Sequence, residues 1–477
     1  MLFPSTIFLF VFLPLLLIFY YHKAFSNRTL RNIILLAASL LFYAWGEPWF
    51  VLVMLGSIVI NWLLGLLSNL CKPSKIKSRI VIALMLIINL SLLFVFKYLN
   101  FTLENIALLS GQAFTSMNII LPLGISFFTF RSISYVVDVS RGKGTAQKNL
   151  LNVALYISFF PQIMAGPIAS YESFENQIHK RNETFEAFSS GVCRFIYGLG
   201  KKVLISNALA PVADFAFSAE AAERSVLLAW VGILAYTFQI FFDFSGYSDM
   251  AIGLGKMFGF DFPENFNYPY ISQSITEFWR RWHISLGTWF KDYLYFPLGG
   301  SRVKSKMRLI FNLFAVWFIT GLWHGANLTF ILWGLLYFVL LVIEKLTGWT
   351  EKLNFKPLKI FYTLFFVVIG WVFFRSPSIS FAFEYIQSLF GFVKNALWDA
   401  TGLMYLLDNK VIFIAAVLLS TPIFPYLGKK LDNLKNPVKL INFTYFSIYT
   451  VSLMLILVLV ILNLAKDTHN PFIYLNF

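Results

Sequence analysis

Two of the five histidines sit where an imidazole is out of place. His324 lies in "GLWHGANLTFILWG" (Gly321 to Gly334), and residues 309–343 around it carry no charged side chain. His283 lies in "EFWRRWHISLGTWF", where helical spacing puts Trp279, Trp282, His283, Leu286 and Phe290 on one apolar face. A neutral imidazole takes a proton from a hydroxyl and returns it to a leaving group. It can also act as a nucleophile and carry an acyl group itself. With a thioester donor, that chemistry is acyl transfer, which requires neither a metal nor a redox cofactor. The bland alternative is that each ring only hydrogen-bonds a neighbouring carbonyl. At membrane depth the balance shifts toward function, because an ionisable group there is costly. His22, His179 and His469 stand in polar sequence and read as solvated.

Other polar residues in apolar runs join the candidates. "FFDFSGYSDM" places Asp243, Ser245 and Asp249 at the end of such a run. They either orient a histidine and line a polar path, or cap the next helix, where Ser and Asp are favoured. "FFPQIMAGPI" offers Gln162 between two prolines, with a broken helix end as its plain reading. Trp279, Trp323 and Asn327 flank the two histidines as candidate lining. Arg131, in "LPLGISFFTFRSISYVVDVSRG", needs an acceptor such as Asp138 or a backbone carbonyl. Familiar alternatives fail on spacing. His324 is followed by Gly-Ala-Asn-Leu, so HExxH is absent, and there is neither a GxSxG elbow nor an HxxxxD box. "GLGKMFG" lacks nucleotide-loop spacing and suits close helix packing through Gly255 and Gly259. Cys71 and Cys193 make no disulfide framework and no metal site.

The elements that must position these residues are membrane helices. Of 477 residues, 58% are hydrophobic and only 13% charged, too few charges to cover a soluble surface of this size. The formal charge of +15 does not signal nucleic acid. Its basic residues cluster in short loops (His22, Lys23, Arg28 and Arg31; Lys72, Lys75, Lys77 and Arg79), the pattern of cytoplasmic loops, which puts the N-terminus outside. The first 21 residues read as a retained span. Further spans are expected near 80–96, 150–168, 226–242, 357–374, 411–428 and 440–465, with residues 32–71 forming two spans joined at Glu47. The total expected is about ten to twelve segments in one all-α polytopic domain over 1–477. Residues 171–189 and 376–409 are polar interruptions, read as loops or surface helices. Two regions fit no simple span. Residues 309–343 as one helix would run about 52 Å, so the helix must break between Thr320 and Asn327, where Gly321 and Gly325 weaken it. Broken backbone at that depth lines a cavity or packs in protein. Residues 266–302 carry too many charges to cross lipid and too many aromatics for a solvated loop, so they are expected as one interfacial helix.

Four blocks together resemble the membrane-bound O-acyltransferase (MBOAT) family: "FFPQIMAGPI", "FDFSGYSDMAIGLGKMFGFDFPENFNYPY", "EFWRRWHISLGTWFKDYLYFPLGG" and "GLWHGANLTFILWG". They are most similar to its bacterial branch acting in alginate and peptidoglycan O-acetylation, which "FYAWGEPWF" also fits. The resemblance covers roughly residues 35–345; the segment 357–465 adds generic helices. It implies that His324 holds the family's catalytic histidine position and His283 the second one, within a ring of tilted helices around a tunnel. Arg131 stands where relatives are expected to have an uncharged polar residue. The resemblance also implies acetyl-CoA as donor, a polysaccharide acceptor, a separate extracytoplasmic SGNH-type partner enzyme and a place in the bacterial inner membrane. D-Alanyl transfer to teichoic acid is the rival within the family. A proton-coupled transporter is the rival outside it, weakened because the chain shows no repeat.

Overall fold

The computed structural model describes residues 1–393, 395–435, 439–466 and 473, leaving aside the side chains of 431–446. His469 lies outside the described residues. The described residues are helical, with a single isolated bridge between Phe266 and Trp282 and no strand. Among the described residues seven helices are long and apolar enough to cross a membrane, eight if the bent pair Ala400–Asp408 and Lys410–Leu419 counts as one span. The chain is a polytopic, all-α membrane protein.

The expected ten to twelve segments shrink for identifiable reasons. The predicted span 150–168 is helical only over Leu150–Ser158, about 14 Å of rise, too short to cross. Pro161 and Pro167 cannot continue the helix, and the rest is a buried loop closed by Gln162 Nε2 donating to the Pro167 carbonyl at 2.8 Å. The predicted span 411–428 stops at Leu419, before Pro422, and a separate helix starts at Ile423. The first helical stretch, Phe8–Tyr21, is short as well.

The chain divides into two compact units, Met1–Val192 with Met250–Pro263, and Cys193–Asp249 with Glu264–Phe477. In the first, Asn61 and Asn89 exchange amide hydrogen bonds at 3.1 and 2.8 Å between the helices Phe50–Cys71 and Lys75–Leu93. Arg131, buried as the sequence requires, donates to the Tyr156 carbonyl at 3.2 Å. That carbonyl is one of the two kinds of acceptor expected. Glu183 accepts from Arg28 and from the Tyr20 hydroxyl. Burial alone would raise its pKa, but these donors outweigh it and hold it at about 2.

The second unit carries both buried histidines. Its elements are α1 (Val226–Met257, continuing past the unit boundary), α2 (Ile275–Arg281), α3 (Ile284–Phe290), α4 (Lys306–His324), α5 (Leu328–Thr347) and α6 (Lys356–Arg375). The expected single interfacial helix is instead two short ones, α2 and α3, interrupted at Trp282–His283. The expected break in 309–343 is present, falling at Gly325–Asn327 between α4 and α5. Glycines on facing sides bring these two helices together. A Cβ on Gly334 would stand 2.4 Å from the Trp317 carbonyl oxygen, and one on Gly321 would stand 2.5 Å from that of Phe330.

Candidate functional site

His324 is the last residue of α4, so the break places it where backbone and ring are both held by neighbours. Gly325 is extended (φ −173°), and Asn327 restarts the helix by accepting from Thr329 N–H at 3.0 Å. Its amide also donates to the Pro377 carbonyl at 2.9 Å, so Asn327 ties the break to the chain after α6. The imidazole is buried among the rings of Trp323, Trp333 and Phe374, with centroids at 4.8, 4.9 and 5.1 Å.

His283 is held differently. It lies in the left-handed region (φ +47°, ψ +52°), a conformation that costs a residue with a Cβ about 1–3 kcal/mol. The segment before α2 clamps it there. Asn267 N–H donates to the Arg281 carbonyl at 2.9 Å, and Ile284 N–H to the Asn265 carbonyl at 3.0 Å. The ring meets Phe244 of α1 edge-on at 4.5 Å, and its Nδ1 lies 3.1 Å from Asn265 Oδ1. Burial pushes its pKa down to about 3, so the imidazole is neutral near pH 7.

Both histidines line one cavity of about 440 Å³. Trp279, Trp317 and Thr320 contribute to its wall, and the exposed cations Arg280, Lys291 and Lys345 also line it. Trp279 is wedged among Trp317, Trp333 and Tyr337, with centroids at 4.8, 5.4 and 4.8 Å. Helix α2, which carries Trp279 and Arg280, is docked by a carboxylate. Glu344 of α5 accepts from the N–H groups of Ile275 and Thr276 at 2.7 and 2.9 Å, and from the Thr276 hydroxyl at 2.7 Å. An anion at the first turn of a helix also faces the positive end of its dipole.

The remaining candidates have other placements. Asp243, Ser245 and Asp249 lie inside the continuous helix α1, which excludes the reading that they cap a following helix. Asp243 pairs with buried Lys202 at 2.7 Å. Asp249 accepts from Arg194 at 3.0 Å and Lys201 at 2.6 Å, and Arg194 reaches on to Glu264. Trp323 neighbours both imidazoles, 6.4 Å from His283 and 4.8 Å from His324 by centroid. Gln162 and Arg131 belong to the other unit. Sequence reasoning passed over Asn265 and Glu344. The signal for the first was a polar residue inside "PENFNYPY", one of the blocks that carry the resemblance. For the second it was a carboxylate closing an uncharged run. Among the described residues no three His, Cys, Asp or Glu side chains gather as a metal site.

The sequence profile of the membrane-bound O-acyltransferase family matches residues 145–386, which include every cavity-lining residue named above. The chain is 44% identical over 397 residues to the probable alginate O-acetylase AlgI of Pseudomonas aeruginosa, covering 82% of this chain and 75% of that protein. It is 39% identical over 494 residues to the same-named protein of Pseudomonas putida, with both chains fully covered. To the peptidoglycan O-acetyltransferase of Helicobacter pylori it is 38% identical over 424 residues, covering 82% of this chain and 80% of the relative.

Proposed function

Because the chain belongs to the membrane-bound O-acyltransferase family and is an acyltransferase, we propose that it moves acetyl groups from cytoplasmic acetyl-CoA to a polysaccharide outside the membrane. The observation that carries this reading is the shared cavity. Two buried imidazoles stand in one space with three cations. A phosphate-rich thioester donor is attracted by Arg280, Lys291 and Lys345 while its acyl end enters the aromatic wall. His324 is the general base. It takes the proton of the attacking hydroxyl as oxygen bonds to the acetyl carbon, and the proton leaves with the thiol. His283 assists from the break before α3. Trp279 and Trp323 shape the acyl path, and water is excluded by the rings around it.

The acceptor class, an alginate-like exopolysaccharide or peptidoglycan, draws support from the relatives' names. The acetyl group passes through a tunnel to the outer face, directly or by way of an SGNH-type partner enzyme. Basic loops after the first and third predicted spans support a bacterial inner-membrane protein with its N-terminus outside. The test is reconstitution in proteoliposomes with radiolabelled acetyl-CoA and polysaccharide acceptor. Label moving to the glycan supports the reading. Indifference to acetyl-CoA, with label taken from a D-alanyl carrier protein instead, overturns it in favour of teichoic acid chemistry.

A further inference from the structure

Asn265 makes more contacts than a loop residue needs. It is buried, and its amide is satisfied on both sides. Oδ1 lies 3.2 Å from Ser285 N–H, 2.9 Å from Ser285 Oγ and 3.1 Å from His283 Nδ1. Nδ2 lies 3.0 Å from Ser248 Oγ on α1. The backbone N–H of Ser285 can only donate, so it determines which end of the amide faces α3. That end is the oxygen, and an amide oxygen can only accept. The hydrogen in the contact with His283 therefore belongs to Nδ1. A neutral imidazole has one N–H, which leaves the lone pair on Nε2. Burial disfavours a second proton, in keeping with the depressed pKa.

We infer that Asn265 is a positioning residue that holds His283 in its Nδ1–H form, so that Nε2 is the ring's acceptor atom. The same asparagine accepts from Ile284 N–H through its carbonyl and so also secures the left-handed backbone of His283. The consequence is chemical. An Nε2 lone pair accepts a proton or a hydrogen bond and cannot donate one to a developing oxyanion. His283 thus belongs with the nucleophile's hydroxyl side of the reaction, and stabilisation of the carbonyl oxygen must come from other donors. This consequence rests on the acyl-transfer reading; the tautomer does not.

The experiment is nitrogen-15 NMR of the full chain in lipid nanodiscs, with labelled histidine and His22, His179 and His469 replaced by Gln. The His283 signals, assigned by their loss in His283→Gln, are expected to show a protonated Nδ1 and an unprotonated Nε2. Asn265→Leu is expected to abolish that preference and to lower kcat about 10–100-fold with little change in KM for the donor. Asn265→Asp keeps an acceptor, so Nδ1–H persists. Its negative charge raises the imidazole pKa, moving the acid limb of activity to higher pH. If Asn265→Leu does not fold, wild type and Asn265→Asp suffice. An Nε2–H signature in wild type, an unchanged tautomer in Asn265→Leu, or an unmoved acid limb in Asn265→Asp overturns the inference. Absence of acetyl transfer with the expected tautomer would count against the proposed function alone.

Discussion

The breaks at Gly325 and at His283 bring two imidazoles to one cavity by opposite means. At Gly325 the chain uses residues suited to a break. The backbone there is extended, a conformation open to any residue, and Asn327 caps the new helix. What forbids a side chain at 325 is the Phe330 ring, which a Cβ would approach within 2.3 Å. At His283 no glycine is present, and a histidine occupies a left-handed conformation because Asn265 and Asn267 pair with the chain on either side. The first break is local chemistry, and the second is imposed by tertiary contacts. Strain tolerated at a residue that lines the cavity is the pattern expected where position matters more than stability.

Substitutions can separate the two cases. The largest effect is expected at the glycine contact that sustains the first break. Gly334→Leu drives a side chain into the Trp317 carbonyl, costing about 3 kcal/mol or more, visible as a lower thermal unfolding midpoint in detergent. Next is Glu344→Ala, which strips the acceptor from two N–H groups and a hydroxyl at the start of α2, costing about 2–3 kcal/mol. Asn327→Ala removes the cap and the tie to the Pro377 carbonyl and costs about 1–2 kcal/mol in the same assay. The smallest effect is the most diagnostic. His283→Gly should be more stable than His283→Ala by about 1 kcal/mol, because glycine adopts positive φ freely. Equal stability of that pair would mean that the backbone at 283 is not strained.

The same contrast explains what could be read from sequence. The break between α4 and α5 was legible because Gly321, Gly325 and Asn327 interrupt an uncharged run too long for one span. The membrane class followed from charge scarcity, and the buried state of His324 from its surroundings. The split between α2 and α3 was not legible. Residues 275–290 have helical spacing throughout, and their interruption depends on pairing with residues 265–267. The span expected at 150–168 failed because hydropathy outweighed two prolines that end the helix. The capping reading of Asp243 and Asp249 failed for a different reason. Partners 40 or more positions earlier, Lys202 and Lys201, let carboxylates sit inside a continuous helix. Asn265 and Glu344 act only through neighbours distant in sequence, so neither announces itself in a linear reading.

The imidazole ending α4 is proposed to take the proton from the acyl acceptor. The direct measurement is the rate of acetyl transfer by purified His324→Ala protein in proteoliposomes, with folding checked by circular dichroism. A folded variant slowed by about 10²–10⁴-fold is the predicted result. A folded variant transferring acetyl at the wild-type rate would contradict it.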